Sequence, residues 1–363
     1  MLNLALDTLN RLFYKIPARP RNVQIEVTNR CNMDCSMCPR EDLEIELEHM
    51  DWDKFIIVLD QLRSGEDITL TGWGEPFLHP RIFDMIRACR ERGHKVMITS
   101  NGLFTKPALI GQILDAGLDT LTFSIDSVET SDNVPEGHNN NSVYKNIEAV
   151  AAQRKNGSLS LRLQSTLHAD GENDLYDVIR YAAKIGCEVV NVGRLDRKYA
   201  PDLKRPNPRD EERIFKVADR IARSVGVQLD WIQYSVSKGV TRFVYKLLRK
   251  KLHRSGKYCL KTFDNAYVSR EGYVTPCCLL PQAKMGNMLD QSLPDIWKSK
   301  QFNLFRENYR DTCGSCDLWT ISQVPTTWGG KLGYARSAHQ PGKLPDEKFN
   351  SPQDTVSQKP IAR

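Results

Sequence analysis

Thr28-Asn29-Arg30-Cys31-Asn32-Met33-Asp34-Cys35-Ser36-Met37-Cys38-Pro39 follows directly on a short β-type run, Val23-Gln24-Ile25-Glu26-Val27. Its three cysteines stand in a C-x3-C-x2-C spacing. Thiolates are soft ligands that suit iron–sulfur clusters and zinc. Zinc ligands usually come as C-x2-C pairs with a fourth ligand, and this loop contains no histidine. A closed iron–sulfur site takes four cysteines. Three would leave one iron of a [4Fe–4S] cluster open to a small molecule, and an open coordination position marks a catalytic metal.

Outward from this loop the chain alternates between two periodicities. Strand-like runs occur at 23–27, 68–71, 95–99, 120–125, 160–166 and 188–192, with amphipathic stretches such as Trp52–Leu62, Pro80–Arg92 and Lys106–Ala116 between them. Alternating βα units predict a parallel sheet with helices packed outside it. Six units are fewer than the eight of a closed barrel. Functional groups in such folds collect where strands end. The second strand ends in Thr71-Gly72-Trp73-Gly74-Glu75-Pro76, whose glycines permit close backbone approach and whose carboxylate can accept from an ammonium group. The third ends in Thr99-Ser100-Asn101-Gly102 and the fourth in Phe123-Ser124-Ile125-Asp126.

The cysteine triplet, with apolar Met37 before its last member, resembles the signature of radical S-adenosylmethionine (SAM) enzymes. That resemblance implies a partial (β/α)6 TIM-like barrel with the cluster loop after its first strand. Cys31, Cys35 and Cys38 would bind a [4Fe–4S] cluster whose open iron chelates SAM. Reductive cleavage of SAM then yields a 5'-deoxyadenosyl radical that abstracts hydrogen from a substrate. Gly72-Trp73-Gly74-Glu75 is similar to the family's GGE motif, so Glu75 would hold the SAM amino group. Ser100 and Ser124 would meet the ribose or carboxylate of SAM, and Asn191, within Val189-Val190-Asn191-Val192, lies where relatives meet the adenine. On the fifth strand Arg162, Gln164 and Thr166 alternate with Leu161, Leu163 and Ser165; this gives one polar face, either solvated or aimed at the active site. Arg194 and Asp196 follow the sixth strand. His138 sits in a polar loop, Ser127–Asn141.

A second cysteine group follows a proline-broken linker at 200–211, a helix from about Glu212 to Ser224 and a strand-like Val227–Trp231. Cys259 and Cys277 bracket seventeen residues, including a hairpin-like run from Tyr267 to Pro276 with Glu-Gly at its turn. An amphipathic stretch at Leu293–Arg306 precedes Cys313-Gly314-Ser315-Cys316. Four such thiolates can hold zinc or a [4Fe–4S] cluster. The arrangement resembles the SPASM/twitch extension of radical SAM enzymes, which implies one auxiliary [4Fe–4S] cluster on Cys259, Cys277, Cys313 and Cys316. Cys278 is the alternative to Cys277. Cys89 and Cys187 read as buried thiols.

The totals fit this organisation. A chain of 363 residues exceeds ordinary single-domain size. The expected division is an amphipathic extension at 1–22, the barrel at 23–225, the auxiliary domain at 226–320 and a partly disordered tail at 321–363. No apolar run reaches the ~20 residues needed to span a bilayer. The N-terminus lacks a signal-peptide pattern, so a cytoplasmic protein is expected. The basic segment Thr241–Lys261 suits a peripheral membrane contact, a nucleic-acid partner or a solvated helix face; nucleic acid is the least expected of these.

By the same resemblance, an auxiliary cluster implies a net oxidation, with a redox-neutral epimerase or rearrangement as the alternative. A low-potential donor such as ferredoxin or flavodoxin is implied. Peptide-maturing relatives often carry an extra N-terminal domain, whereas here the first strand begins near residue 23. A small-molecule, sugar or lipid-linked substrate is therefore expected ahead of a peptide. An RNA-binding iron–sulfur protein is the non-enzymatic alternative, and Glu75 argues against it.

Overall fold

The computed structural model describes residues 16–40, 42–43, 45–103, 108–128, 140–155, 158–195, 202–231, 262 and 265–313. The expectations placed on residues 1–15, on His138, on Asp196, on the basic segment with Cys259, and on Cys316 and the tail lie outside these residues.

One sheet organises the chain, in strand order β10-β9-β8-β1-β2-β3-β4-β5-β6-β7. β1 (Asn22–Ile25), β2 (Asp67–Leu70), β3 (Lys95–Ser100), β4 (Thr120–Ser124), β5 (Ser160–Leu167), β6 (Val189–Arg194) and β7 (Gln228–Trp231) pair in parallel, each with the next. Between them lie α1 (Trp52–Leu59), α2 (Ile82–Glu91), α3 (Ala108–Asp115), α4 (Asn140–Gln153), α5 (Glu172–Lys184) and α6 (Pro208–Ser224).

Each strand sorts its residues by parity. Val23, Ile25, Ile68, Leu70, Val96, Ile98, Leu121, Phe123, Leu161, Leu163, Val190 and Val192 are all essentially inaccessible to solvent and form one core with the helices. α5 contributes Leu175, Val178, Ile179 and Ala182, the i, i+3, i+4, i+7 stripe of a helix packed on a sheet. Burying each large apolar side chain contributes roughly 1.5–3 kcal/mol. The other parity of the sheet is mostly polar, Met97 and Val189 being apolar exceptions: Gln24, Thr69, Thr99, Thr122, Arg162, Gln164 and Asn191 are only partly covered, Thr122 excepted. A parallel sheet coated on both faces would be apolar at both parities. Here the apolar face packs on helices, and the opposite face is left for chemistry.

Three boundaries differ from the sequence expectation. The strand-like run at 227–231 is β7, a seventh parallel strand hydrogen-bonded to β6. α6 begins at Pro208 rather than near Glu212, because Asn207 caps it by accepting from the main-chain N–H groups of Arg209 and Asp210. Proline at the first helical turn loses no hydrogen bond, so it starts this helix instead of ending a linker. The helical stretch at 293–306 is two helices, α7 (Leu293–Lys298) and α8 (Lys300–Cys313). Ser299 breaks it with an extended ψ of 153° and then accepts from the Phe302 main-chain N–H.

The second cysteine region closes the other side of the sheet. β8 (Asn265–Val268) runs parallel to β1, and β9 (Tyr273–Thr275) and β10 (Gly286–Asn287) follow antiparallel. The expected hairpin is present, turning at Gly272 with φ of 89°. α7 and α8 are held by Arg306, which is buried and donates to the carbonyls of Thr262 and Trp297 while lying over the Trp297 and Phe302 rings.

Candidate active site

The cysteine loop leaves β1 and is closed at its base by residues 46–50. The Asn29 main-chain N–H donates to the Glu48 carbonyl at 3.2 Å, and the Met50 N–H to the Val27 carbonyl at 2.8 Å. The Asn29 side chain completes this clamp, with Nδ2 donating to the Glu46 carbonyl and Oδ1 accepting from the Glu48 N–H, both at 2.6 Å. Cys31, Cys35, Met37 and Cys38 are all half-buried on this loop. Burial pushes the Cys35 thiol up to about 12, with Cys38, Cys31 and Asp126 adding to the effect. Cys38 is raised by burial too, against a main-chain hydrogen bond from Arg40 and its cationic side chain. Thiols that burial holds protonated, as at Cys35 and Cys38, ionise readily once they bind a cationic centre. That donor set fits an iron–sulfur cluster, although among the described residues no three ligand-type side chains converge on a single ion position.

The Gly72-Trp73-Gly74-Glu75 turn lies directly against this loop. A Cβ on Gly74 would stand 2.3 Å from the Arg30 carbonyl oxygen, and one on Gly72 2.3 Å from Glu26 Cγ. Both glycines thus admit protein neighbours, which is a reason beyond the ligand approach expected from the sequence. The Glu75 main-chain N–H donates to the Arg30 carbonyl at 2.8 Å, fixing turn to loop. The Glu75 carboxylate is buried and accepts three hydrogen bonds. They come from the main-chain N–H groups of Phe77 at 3.1 Å and Asn101 at 2.7 Å, and from the Ser100 hydroxyl at 3.0 Å. Burial raises its pKa to about 7, with the three donors pulling the other way.

Ser100 is therefore engaged with Glu75, and its oxygen also accepts from the Gly102 N–H. Asn101 joins the carboxylate to the cysteines, because its Nδ2 reaches Cys31 Sγ at 3.6 Å and Asn32 Oδ1 at 2.8 Å. Ser124 and Asn191 lie apart from this group, in one register row with Gln164 between them and Asp230 beyond. Arg162 stands in the row with Thr122 and Val189, and its buried Nε has no hydrogen-bond partner among the described residues.

The C-terminal hairpin touches both parts. Trp73 Nε1 donates to the Cys278 carbonyl at 3.1 Å. The Tyr267 hydroxyl and the Trp73 main-chain N–H both donate to Glu26, which is buried and held above the usual carboxylate range by that burial. Arg270 Nε donates to the Glu46 carbonyl, and Gln282 Nε2 to the Leu43 carbonyl, so the hairpin also braces the base of the cysteine loop. Cys277 and Cys278 are half-buried beside it. Cys313 ends α8. Cys89 and Cys187 are buried thiols, raised by burial to about 12 and about 11.

Glu26, Asn32, Asn101, Asp126 and Tyr267 belong to this centre but were not among the residues expected from sequence. The Asn-Gly pair after β3 was the available signal for Asn101. Nothing local marks Glu26 or Tyr267, which meet across 241 positions.

A parallel half-barrel with a three-cysteine loop after its first strand, a buried carboxylate after its second and a cysteine-bearing C-terminal hairpin defines an iron–sulfur protein of one architecture. The chain belongs to the radical SAM superfamily: residues 25–194 match that superfamily, and residues 259–317 match the SPASM iron–sulfur cluster-binding domain. Two [4Fe–4S] clusters, one of them auxiliary, and SAM are the cofactors this membership entails. The chain is 28% identical over 329 residues to the tungsten-containing aldehyde ferredoxin oxidoreductase cofactor-modifying protein of Pyrococcus furiosus, covering 81% of this chain and 86% of that one. It is 23% identical to the AdoMet-dependent heme synthase of Methanosarcina barkeri, covering 82% and 88%. In fold it is similar to Streptococcus suis SuiB, solved with its precursor peptide SuiA, with a TM-score of 0.63, 16% identity and coverage of 88% and 74%.

Proposed function

We propose that this chain is a radical SAM oxidoreductase acting on a small molecule, with a net two-electron oxidation as the outcome. The observation that carries the reading is the join at Asn101, where one residue contacts both a cysteine of the triplet and the Glu75 carboxylate. A cluster on Cys31, Cys35 and Cys38, when bound, supplies the electron that cleaves SAM. The chain's own groups do the rest. Glu75 receives the SAM ammonium group, Ser100 and the Phe77 and Asn101 N–H groups aim that carboxylate, and Gly72 and Gly74 let its turn press on the cysteine loop. Met37 lines the loop, Trp73 ties the turn to the hairpin, and Ser124 and Asn191 offer polar contacts to the nucleoside from the open face of the sheet.

Cys259, Cys277, Cys313 and Cys316 hold the second cluster in this reading, and the barrel extends past the expected boundary near residue 225 to include β7. Relatives named for modifying a cofactor and for making heme support a small-molecule or cofactor-type substrate, while SkfB of Bacillus subtilis and the PqqA peptide cyclases make a peptide the alternative. A ferredoxin or flavodoxin donor and a cytoplasmic setting complete the proposal. Among the described residues no helix is long and apolar enough to cross a membrane.

The test is anaerobic reconstitution, metal and sulfide analysis, and incubation with SAM and a low-potential reductant. Two four-iron clusters per chain and release of 5'-deoxyadenosine are expected. A zinc-loaded, iron-free protein, or iron-loaded protein that leaves SAM intact, would refute it.

A further inference from the structure

We propose that Asn101 sets the reduction potential of the cluster on Cys31, Cys35 and Cys38 by donating a side-chain hydrogen bond to the Cys31 sulfur. The inference rests on the reading of those three cysteines as cluster ligands. Its geometric basis is an Nδ2···Sγ separation of 3.6 Å, within range for a donor to sulfur.

The orientation of the amide is decided by its other partners. Asn101 Oδ1 accepts from the Leu103 main-chain N–H at 2.8 Å. A main-chain N–H can only donate, so oxygen must face it and nitrogen must face the sulfur. The Asn32 side chain is fixed by the same logic. Its Nδ2 donates to the Leu103 carbonyl at 2.9 Å, which leaves its Oδ1 to accept from Asn101. Two asparagines and the Leu103 peptide groups therefore hold each other in the one arrangement that presents an N–H to Cys31.

A cysteine ligand carries negative charge, and a one-electron reduction adds another to the cluster. A hydrogen bond to the sulfur stabilises the reduced state more than the oxidised one and raises the potential. Cys38 also receives a donor, but from the Arg40 main chain, which no side-chain substitution removes. Asn101 is the side-chain lever. Its contact with Glu75 runs through the main-chain N–H, so a side-chain change leaves that bond in place and separates potential from SAM binding.

The experiment is an EPR-monitored potentiometric titration of the reconstituted full-length protein, wild type against Asn101→Ala and Asn101→Asp, each matched for iron and sulfide. The wave that moves when SAM is added identifies the catalytic cluster. Its midpoint should fall in both variants, with the one-electron reduction equilibrium shifted about tenfold, or ~59 mV. Asn101→Asp should fall further, because it adds a charge while keeping an oxygen for Leu103. The second wave should stay put. A loaded Asn101→Ala protein with an unchanged catalytic wave overturns the inference.

Should neither variant load its cluster, wild-type protein labelled with 15N in asparagine side chains answers the question. Pulsed EPR of its reduced catalytic cluster should show a nitrogen coupling, and the absence of one overturns the inference. Wild-type protein that loads clusters and cleaves SAM yet fails these tests sinks this inference alone. Wild-type protein that takes up no iron sinks the functional reading beneath it.

Discussion

The Tyr267 hydroxyl donates a 2.6 Å hydrogen bond to Glu26 Oε1, joining the C-terminal hairpin to the end of the first barrel strand inside the protein. Both residues are buried. Glu26 also accepts from the Trp73 main-chain N–H, so this pair anchors the turn that carries Glu75. Removing the phenol oxygen takes one donor from a buried carboxylate, which costs about 1–3 kcal/mol. Tyr267→Phe should therefore lower the unfolding free energy by that amount and weaken SAM binding. A denaturant titration showing wild-type stability would disprove the anchoring role.

The two glycines of the turn differ from a glycine that merely sits in a helix. Gly74→Ala sets a methyl group 2.3 Å from the Arg30 carbonyl, a main-chain neighbour that cannot rotate away. Overpacking of this kind costs roughly 1–3 kcal/mol, and here the strain falls on the cysteine loop. Iron content after reconstitution should drop. Gly111 lies in α3 with nothing within 4 Å of an added Cβ, so Gly111→Ala should instead stabilise by about 0.5–1 kcal/mol. Thermal unfolding of the two variants should move in opposite directions.

If Glu75 receives the SAM ammonium group as proposed, SAM binding should depend on pH. Its carboxyl titrates near pH 7 in the folded protein because burial disfavours the charge. Raised above its unfolded value, it binds more protons folded than unfolded between about pH 4.5 and 7. Its contribution to stability is thus fully present below that window and is lost as pH rises through it. Ligand binding runs the other way, since the ammonium of SAM needs the carboxylate. SAM affinity measured by calorimetry should fall as pH drops from 8 to 6, and Glu75→Gln should bind weakly with no such slope. A wild-type affinity flat across that range would exclude Glu75 as the receiving group.

Arg306 holds the two C-terminal helices as a single unit. It donates to two main-chain carbonyls and to Asn303 Oδ1, and burial lowers its pKa to about 10, which still leaves it charged at neutral pH. Arg306→Met fills similar space but strands those acceptors. Hydrogen bonds to charged groups contribute about 1.5–3 kcal/mol each, so a loss of at least 2 kcal/mol is expected. Hydrogen exchange should report it first in α7 and α8. Unchanged protection in those helices would contradict the assignment.

Local chemistry made much of this protein legible in one dimension. Alternation of Leu161, Leu163 and Ser165 with Arg162, Gln164 and Thr166 marks a two-faced strand, and the spacing of Cys31, Cys35 and Cys38 marks a candidate ligand set. These are short-range properties, fixed by a period of two or by a loop too small to vary. Pro208 misled for a related reason: proline both breaks helices and begins them, and only the Asn207 cap tells which. Tertiary structure alone decided that β7 joins the sheet, that Gly72 and Gly74 yield space to Glu26 and Arg30, and that Asn101 faces Cys31. Trp73 reaching Cys278 across 205 positions is of the same kind. Such contacts depend on which strands become neighbours, and that is set by the packing of the whole sheet rather than by any residue's immediate surroundings.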